Sequence, residues 1–373
     1  EAIEAFLFSQ AEFRHNVITH HCEIRWTEEA GFLPLTDRDV NTLWGRMNKT
    51  VGRVYLTDIY NVIHSEFVPL FNPFQSYFDH LPSWDGVSDP IGDLADTVHV
   101  KSDQAEFRDY FRKWFVGILP ALLDDTVVNH EILVLIGEQG LYKTTWFNFL
   151  LPPELRCYFY TKTNSDRLNK DDLFSLTEFA LICFEELDGM RPAELNQLKA
   201  MVTMPYVNER AAYGRNKERH PHIASFCGTG NNVQFLTDPT GNRRWLPFEV
   251  SQIRDPHLHA IPYELVYSQA YALWKSGFCH WFSQEEIRKL NMHNSRFEVP
   301  NLEEDLIRTH FRKPFEGEAG IFVTAADILE QISSCLRYPL SPNKIGRIMA
   351  GLEFESIRYK GKRGYIAVKK TGE

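Results

Sequence analysis

The sequence predicts an α/β fold built on a parallel sheet, with a mainly helical region ahead of the sheet and a small helix-and-hairpin domain behind it. Two observations carry this reading. Three apolar runs, Ile132–Ile136, Phe179–Phe184 and Ile223–Cys227, each lead into glycine or polar residues, as buried parallel strands do when they present ligands at one sheet edge. An aromatic stripe at helical spacing precedes them, and two capped helical patterns with a basic hairpin follow.

In chain order, residues 1–70 begin with strands near Phe13 to Trp26, then a helix opened by Thr36 with Asp39 at its third position, then a helix near Tyr55 to Phe67. No role for this region is legible. Residues 71–128 are predicted as a helical domain, because Phe107, Phe111, Trp114 and Phe115 repeat at helical spacing and read as core. Residues 129–250 are the predicted core domain, and 251–299 a helical extension around Tyr263–Trp274. Pro300 marks the boundary of the last domain, 300–373.

The first apolar run opens into Gly137-Glu138-Gln139-Gly140-Leu141-Tyr142-Lys143-Thr144-Thr145. A strand, a glycine-containing loop and a helix start together supply the backbone N–H groups and dipole end that cradle phosphates, so this stretch is predicted to bind the nucleotide as a P-loop. Lys143 is expected to reach the β- and γ-phosphates, and Thr144 to hold Mg²⁺. The pattern G-x-x-x-x-G-K-[ST] has Tyr142 at its second glycine position, so the loop must open or turn Tyr142 outward. The plain alternative is an ordinary strand-turn-helix connection.

The second run ends in Glu185-Glu186, in the shape of a Walker B strand. Paired acids after a core strand need a cation or a water to serve, which assigns Glu185 to the metal shell and Glu186 to activation of the attacking water. Most such strands carry Asp where Glu185 stands. The third run reaches Asn231, suited to sense the γ-phosphate or the water, although Gly-x-Gly-Asn also reads as a plain turn. Beyond it, Arg243 and Arg244 are candidates for an arginine finger reaching a neighbouring subunit's nucleotide, or else a solvated surface pair.

With these residues in view, the stretch from about Phe71 to Val250 resembles the virulence-associated protein E family, whose ATPase core looks like that of superfamily 3 helicases and poxvirus-type primase-helicases. Phe71-Asn-Pro-Phe, Leu81-Pro-Ser-Trp84-Asp85-Gly86, Gly137 to Thr145, Glu185-Glu-Leu-Asp188, Ala224 to Asn231 and Asp238-Pro-Thr-Gly-Asn-Arg-Arg-Trp-Leu-Pro-Phe248 carry the resemblance. It implies a P-loop NTPase (AAA+-like) core, an ATPase in replication of mobile genetic elements, and often a fused primase. It gives Lys143, Thr144, Glu185, Glu186, Asn231 and Arg243 or Arg244 the roles argued above.

Two basic sites point to DNA although the net charge is −10. Asn208 to Pro221 reads as a hairpin with a basic tip, where Arg215, Lys217 and Arg219 suit phosphates and Tyr213 suits base stacking; the alternative is a solvated hairpin end. At the C-terminal end, helices starting at Thr324 and Ser341, then a hairpin with Lys360, Lys362 and Arg363 at its tip, predict a winged-helix domain. Asn343, Lys344 and Arg347 on its second helix would enter a groove, with DNA and a protein partner as the two readings.

The chain of 373 residues is large enough for several cores, is 13% aromatic and 24% charged, and has no apolar run long enough to span a bilayer. The start Glu1-Ala-Ile-Glu carries neither a signal peptide nor an initiator methionine and reads as a cut edge with a further domain upstream. Six scattered cysteines without a Cys-x-x-Cys pair suit a reducing cytoplasm. His15, His20, His21 and Cys22 raise the question of zinc, but their spacing matches no zinc pattern. No serine triad, zinc protease motif or nuclease-type cluster emerges. The reading is therefore an ATP- and Mg²⁺-dependent DNA helicase that forms a homo-oligomeric ring, expected as a hexamer, with single-stranded DNA in its channel, duplex DNA at the winged helix, a primase upstream or on a separate chain, and no membrane partner. The alternatives are a nucleotide-dependent initiator without sustained unwinding and a scaffold with a vestigial site.

Overall fold

The computed structural model describes residues 1–27, 31–163, 170–209, 218–237, 242–300, 302–315, 317–333 and 341–370. They form two compact units, residues 1–298 and 299–373.

The first unit begins with a small sheet in the order β3-β2-β1-β4, formed by β1 (Ala11–Asn16), β2 (His21–Trp26), β3 (Leu33–Pro34) and β4 (Leu70–Phe71). Alternation along β1 and β2 turns Phe13, Cys22 and Ile24 inward, against Leu43 and Met47 of the helix Asp37–Thr50 and Ile59 of the helix Leu56–Ile63. Thr36 caps the first of these helices: its hydroxyl accepts from the Asp39 N–H, and the Asp39 carboxylate accepts from the Thr36 N–H.

The main sheet contains β5 (Val98–Val100), β6 (Ile132–Ile136), β7 (Phe159–Lys162) and β8 (Leu181–Phe184). After the separate hairpin β9 (Tyr206–Glu209) and β10 (Glu218–Pro221) come its last strands, β11 (Ser225–Gly230) and β12 (Trp245–Ile253). The order is β5-β12-β6-β11-β8-β7, with every neighbour parallel except β5 against β12. Both faces are covered, which is why β6 reads as an unbroken apolar run. Its side chains divide by parity. Leu133 and Leu135 join a cluster with Trp114, Phe115 and Tyr267, whereas Ile132, Val134 and Ile136 meet Leu195, Leu198 and Val202.

The aromatic stripe lies on the helix Gln104–Leu123, and Phe107, Phe111, Trp114 and Phe115 are wholly buried. Trp114 also donates its indole N–H to the carbonyl of Phe226 at 2.9 Å, tying this helix to β11. The region before the core is thus not helical throughout, since β5 completes the edge of the main sheet. The helices Tyr263–Lys275 and Gln284–Asn294 follow β12, and Tyr267 packs on Phe115.

The second unit runs from the helix Leu302–His310 through β13 (Phe311–Arg312) and β14 (Ile321–Val323) to the helices Ala325–Ile332 and Pro342–Gly351, then β15 (Ser356–Tyr359) and β16 (Lys362–Lys369). β16 pairs antiparallel with β13, β14 and β15. Thr324 and Ser341 cap the two later helices through their hydroxyls. The tight turn between β15 and β16 uses Lys360 and Gly361, both at positive φ (48° and 79°), as two-residue hairpin turns require. Among the described residues, no helix is long and apolar enough to cross a membrane.

Trp114 combines complete burial with a hydrogen bond to the central sheet. Trp114→Ala is expected to destabilise the first unit by about 3–5 kcal/mol, read as an earlier midpoint in urea unfolding followed by far-UV circular dichroism.

Candidate functional site at the carboxyl edge of the sheet

Parallel pairing brings the three polar strand ends together. Ile136 of β6 is in register with Gly230 of β11, and Gly228 of β11 with Phe184 of β8, so Gly137, Glu185 and Asn231 leave the sheet at one edge. There a cavity of about 390 Å³ is lined by residues 139–145, Glu185, Glu186, Thr229, Gly230 and Asn231.

Lys143 begins the helix Lys143–Leu150 and is buried. Its ammonium donates to the carbonyls of Gly137 at 2.6 Å and Glu138 at 2.7 Å, and lies 3.4 Å from Oδ1 of Asn231. Burial lowers its pKa, and the nearby Asp188 carboxylate works against that shift. The cation is thus held on neutral carbonyls in a desolvated position. Thr144 donates its hydroxyl to Oε1 of Glu185 at 2.7 Å. This bond joins the helix after β6 to the end of β8, although β11 lies between those strands. A hydroxyl and a half-buried carboxylate oxygen are hard ligands of the kind Mg²⁺ takes.

Glu186 follows at φ 55°, exposed at the cavity wall. Tyr142 also has a left-handed backbone, φ 60° and ψ 18°, at the position where the phosphate-loop pattern has glycine. A β-carbon there costs about 1–2 kcal/mol. Of the two ways to accommodate this residue the structure adopts the outward turn, since Tyr142 is 42% exposed. Gly137 is a true steric requirement: a β-carbon would approach the Val250 carbonyl to 2.9 Å.

Asp188 belongs to the same site, although its position in the motif suggested no role. Its two carboxylate oxygens accept the backbone N–H groups of Asn231 at 3.1 Å and Asn232 at 3.0 Å. It therefore fixes the turn that aims Asn231 at Lys143. The available signal was an acid three residues after Glu185, next to a strand ending in Gly-Thr-Gly.

The virulence-associated protein E-like domain matches residues 79–299, more than half of the chain. The chain belongs to the virulence-associated protein E-like family. Among solved structures, an apo structure of the NrS-1 C terminal region is similar over 99% of this chain and 98% of that chain, at 12% identity and a TM-score of 0.50. An A form apo structure of the same NrS-1 region, with 11% identity and a TM-score of 0.50, is similar over 99% of each chain. At such identity the likeness is one of fold. No curated protein matches the sequence.

In this virulence-associated protein E-like chain, Arg243 and Arg244 lie at the opposite sheet edge from Lys143. They sit in the turn Asn242–Arg244 before β12, whose first residue, Trp245, is in register with Ile132 at the start of β6. The strand Ile132–Ile136 separates that end from the cavity, about 17 Å away at the usual rise per residue. Asn294 donates to the carbonyls of Asn242 at 2.8 Å and Trp245 at 3.0 Å and so pins the turn. Arg243 is exposed and Arg244 half-buried.

The other basic residues are spread over both units. Arg219, on β10, is exposed and holds its guanidinium 3.4 Å from the centre of the Tyr206 ring, whereas Tyr213, Arg215 and Lys217 lie outside the described residues. In the second unit, Arg347 and Arg363 share a cavity of about 480 Å³ with Asn343. Lys344 instead pairs with Glu303 at 2.5 Å. Lys360 and Lys362 are exposed at the hairpin tip. His15 and Cys22 do meet across β1 and β2, at 3.6 Å, but among the described residues no group of three or more His, Cys, Asp or Glu side chains forms a metal-holding cluster.

Glu131, just before β6, is close enough to the arginine turn to feel its charge and makes stability depend on pH. Burial raises its carboxyl to about 7 from 4.5, opposed by backbone hydrogen bonds and by the charges of Lys113 and Arg244. Because the folded-state value lies above the unfolded one, the neutral carboxyl stabilises the fold fully below pH 4.5, and that contribution is lost as pH rises through 7. Glu131→Gln is expected to be neutral near pH 4 and to stabilise by about 2 kcal/mol at pH 8, after allowance for residual solvent contact. Thermal melts of both proteins across this range provide the check.

Proposed function

We propose that the chain is an ATPase of the P-loop class that works as a ring on DNA in the replication of a mobile genetic element. The Thr144–Glu185 hydrogen bond carries this reading, because it joins a phosphate-loop hydroxyl to the first acid of a strand two positions away in the sheet. An ordinary strand-turn-helix connection has no need of that link. Membership of the virulence-associated protein E-like family and the fold shared with the NrS-1 C terminal region support it.

Each residue then has a defined task. Backbone N–H groups of residues 138–144 and the helix start hold the phosphates of ATP. Lys143 exchanges the carbonyls of Gly137 and Glu138 for phosphate oxygens, and its partly desolvated ammonium makes that exchange favourable. Thr144, with Glu185 behind it, would hold the Mg²⁺ of the nucleotide, and that ion would supply neutralisation of the phosphate charge. Glu186 stands exposed at the cavity wall as the base for the attacking water, and Asn231, aimed by Asp188, orients that water.

Arg243 cannot serve the nucleotide of its own chain from the opposite sheet edge, so a finger role requires a neighbouring subunit. This supports a ring, expected as a hexamer. Arg243 is the better finger because it is exposed, whereas half-buried Arg244 interacts with Glu131. On this reading the hairpin of β9 and β10 carries Arg219 toward DNA, and Tyr213, Arg215 and Lys217, which lie outside the described residues, are proposed from the sequence alone to serve the same partner. The second unit is read as a winged helix whose Arg347, Arg363, Lys360 and Lys362 hold DNA phosphates, with Lys344 first having to leave Glu303.

Phosphate release from ATP is expected to rise with single-stranded DNA in the wild type and to fall at least about 100-fold in Glu186→Gln. Nucleotide binding without any turnover in the wild type would instead support an initiator or a scaffold. Mixing Arg243→Ala subunits with Lys143→Ala subunits, each inactive alone, is expected to restore part of the activity at mixed interfaces. No recovery in the mixture would count against a finger at Arg243.

A further inference from the structure

We propose that the ring of Tyr142 is the surface on which the nucleoside of the bound nucleotide stacks. The inference rests on the nucleotide reading above and assigns the part of the ligand that the phosphate loop leaves unserved. A triphosphate is satisfied by N–H donors, a lysine and a hydroxyl-held cation, but a purine needs a flat apolar face. Of the described residues lining the 390 Å³ cavity, Tyr142 is the single aromatic, and Leu141 is the only aliphatic one of any size. Every other wall is polar or glycine.

The state of the ring fits a surface awaiting a partner. Tyr142 is 42% exposed beside the cavity, and among the described residues its side chain makes no hydrogen bond, ring contact or cation contact. Its backbone alone is engaged, through the carbonyl that accepts from the Trp146 N–H at 2.7 Å.

The backbone conformation supplies an independent reason. At φ 60° and ψ 18° the residue occupies a region where glycine would sit without strain. Strained positions persist where the surrounding structure over-determines them, and they gather at ligand sites. Glu186, at φ 55°, lines the same cavity. At this left-handed turn Tyr142 stays partly exposed beside the cavity, while Lys143 is buried as the first residue of the helix. An aromatic side chain has only two torsions to fix, so it offers stacking area at little cost in entropy.

The test compares Mg²⁺-ATP with inorganic tripolyphosphate, measured by calorimetric titration of the full chain and of Tyr142→Phe, Tyr142→Ala and Tyr142→Gly. The Ala and Gly variants are expected to bind ATP about tenfold more weakly and tripolyphosphate as the wild type does, with Phe unchanged for both. Glycine adopts the left-handed turn freely, so a loss in Tyr142→Gly is not a folding defect. ATP affinity unchanged in the Ala and Gly variants would overturn the proposal, as would an equal loss for ATP and tripolyphosphate. If the wild type binds neither ligand, or Lys143→Ala binds both normally, the nucleotide reading fails as well.

Discussion

The parallel register of β6, β11 and β8 is the constraint on which the rest of the molecule depends. Because Ile136 pairs with Gly230, and Gly228 with Phe184, three chain segments far apart in sequence end within two residues of one another at the same sheet edge. A shift of one residue in either pairing would turn the inward side chains of the strand to the other face and move its polar end away. The apolar faces hold the register, since Leu133 and Leu135 belong to one core cluster and Ile132, Val134 and Ile136 to the other. Site geometry is therefore a consequence of core packing. Trp114 makes this concrete, because the same indole that fills the core also bonds the carbonyl of Phe226 on β11.

At the sheet edge, the chain accepts local unfavourable states that the core can sustain. Tyr142 and Glu186 both stand at positive φ, and Lys143 is buried on carbonyls, with no carboxylate in contact among the described residues. Asp188 offsets part of the Lys143 burial cost through its negative charge, while its oxygens accept two backbone N–H groups at the end of β11. The result is a polar cavity that gathers a cation, a hydroxyl and two carboxylates at one edge of the sheet.

Much of this was legible in the sequence, for physical reasons that differ by residue. The runs at β6, β8 and β11 stand out because strands buried on both faces must be apolar throughout. Thr36, Thr324 and Ser341 are visible because capping is a local affair of three or four residues. What depends on distant pairing was hidden. β5 is only three residues long and lies within a helical stretch, so nothing marks it until β12 pairs with it. The placement of Arg243 opposite Lys143 follows from the direction of β12, which no local pattern encodes. The pairing of Lys344 with Glu303 likewise joins two helices whose contact the spacing of charges could not reveal. Tyr142 broke a pattern in the sequence, but its left-handed backbone emerges only from the structure.

The central proposal is that Thr144 and Glu185 would hold the metal of a nucleotide whose phosphates Lys143 binds. Its most direct test is the Mg²⁺ dependence of ATP binding, measured by titration with and without a chelator for the wild type and Thr144→Val. The account predicts binding that tightens with Mg²⁺ in the wild type and loses that dependence when the hydroxyl is replaced by a methyl group. Equal ATP affinity in both proteins, indifferent to the metal, would contradict it.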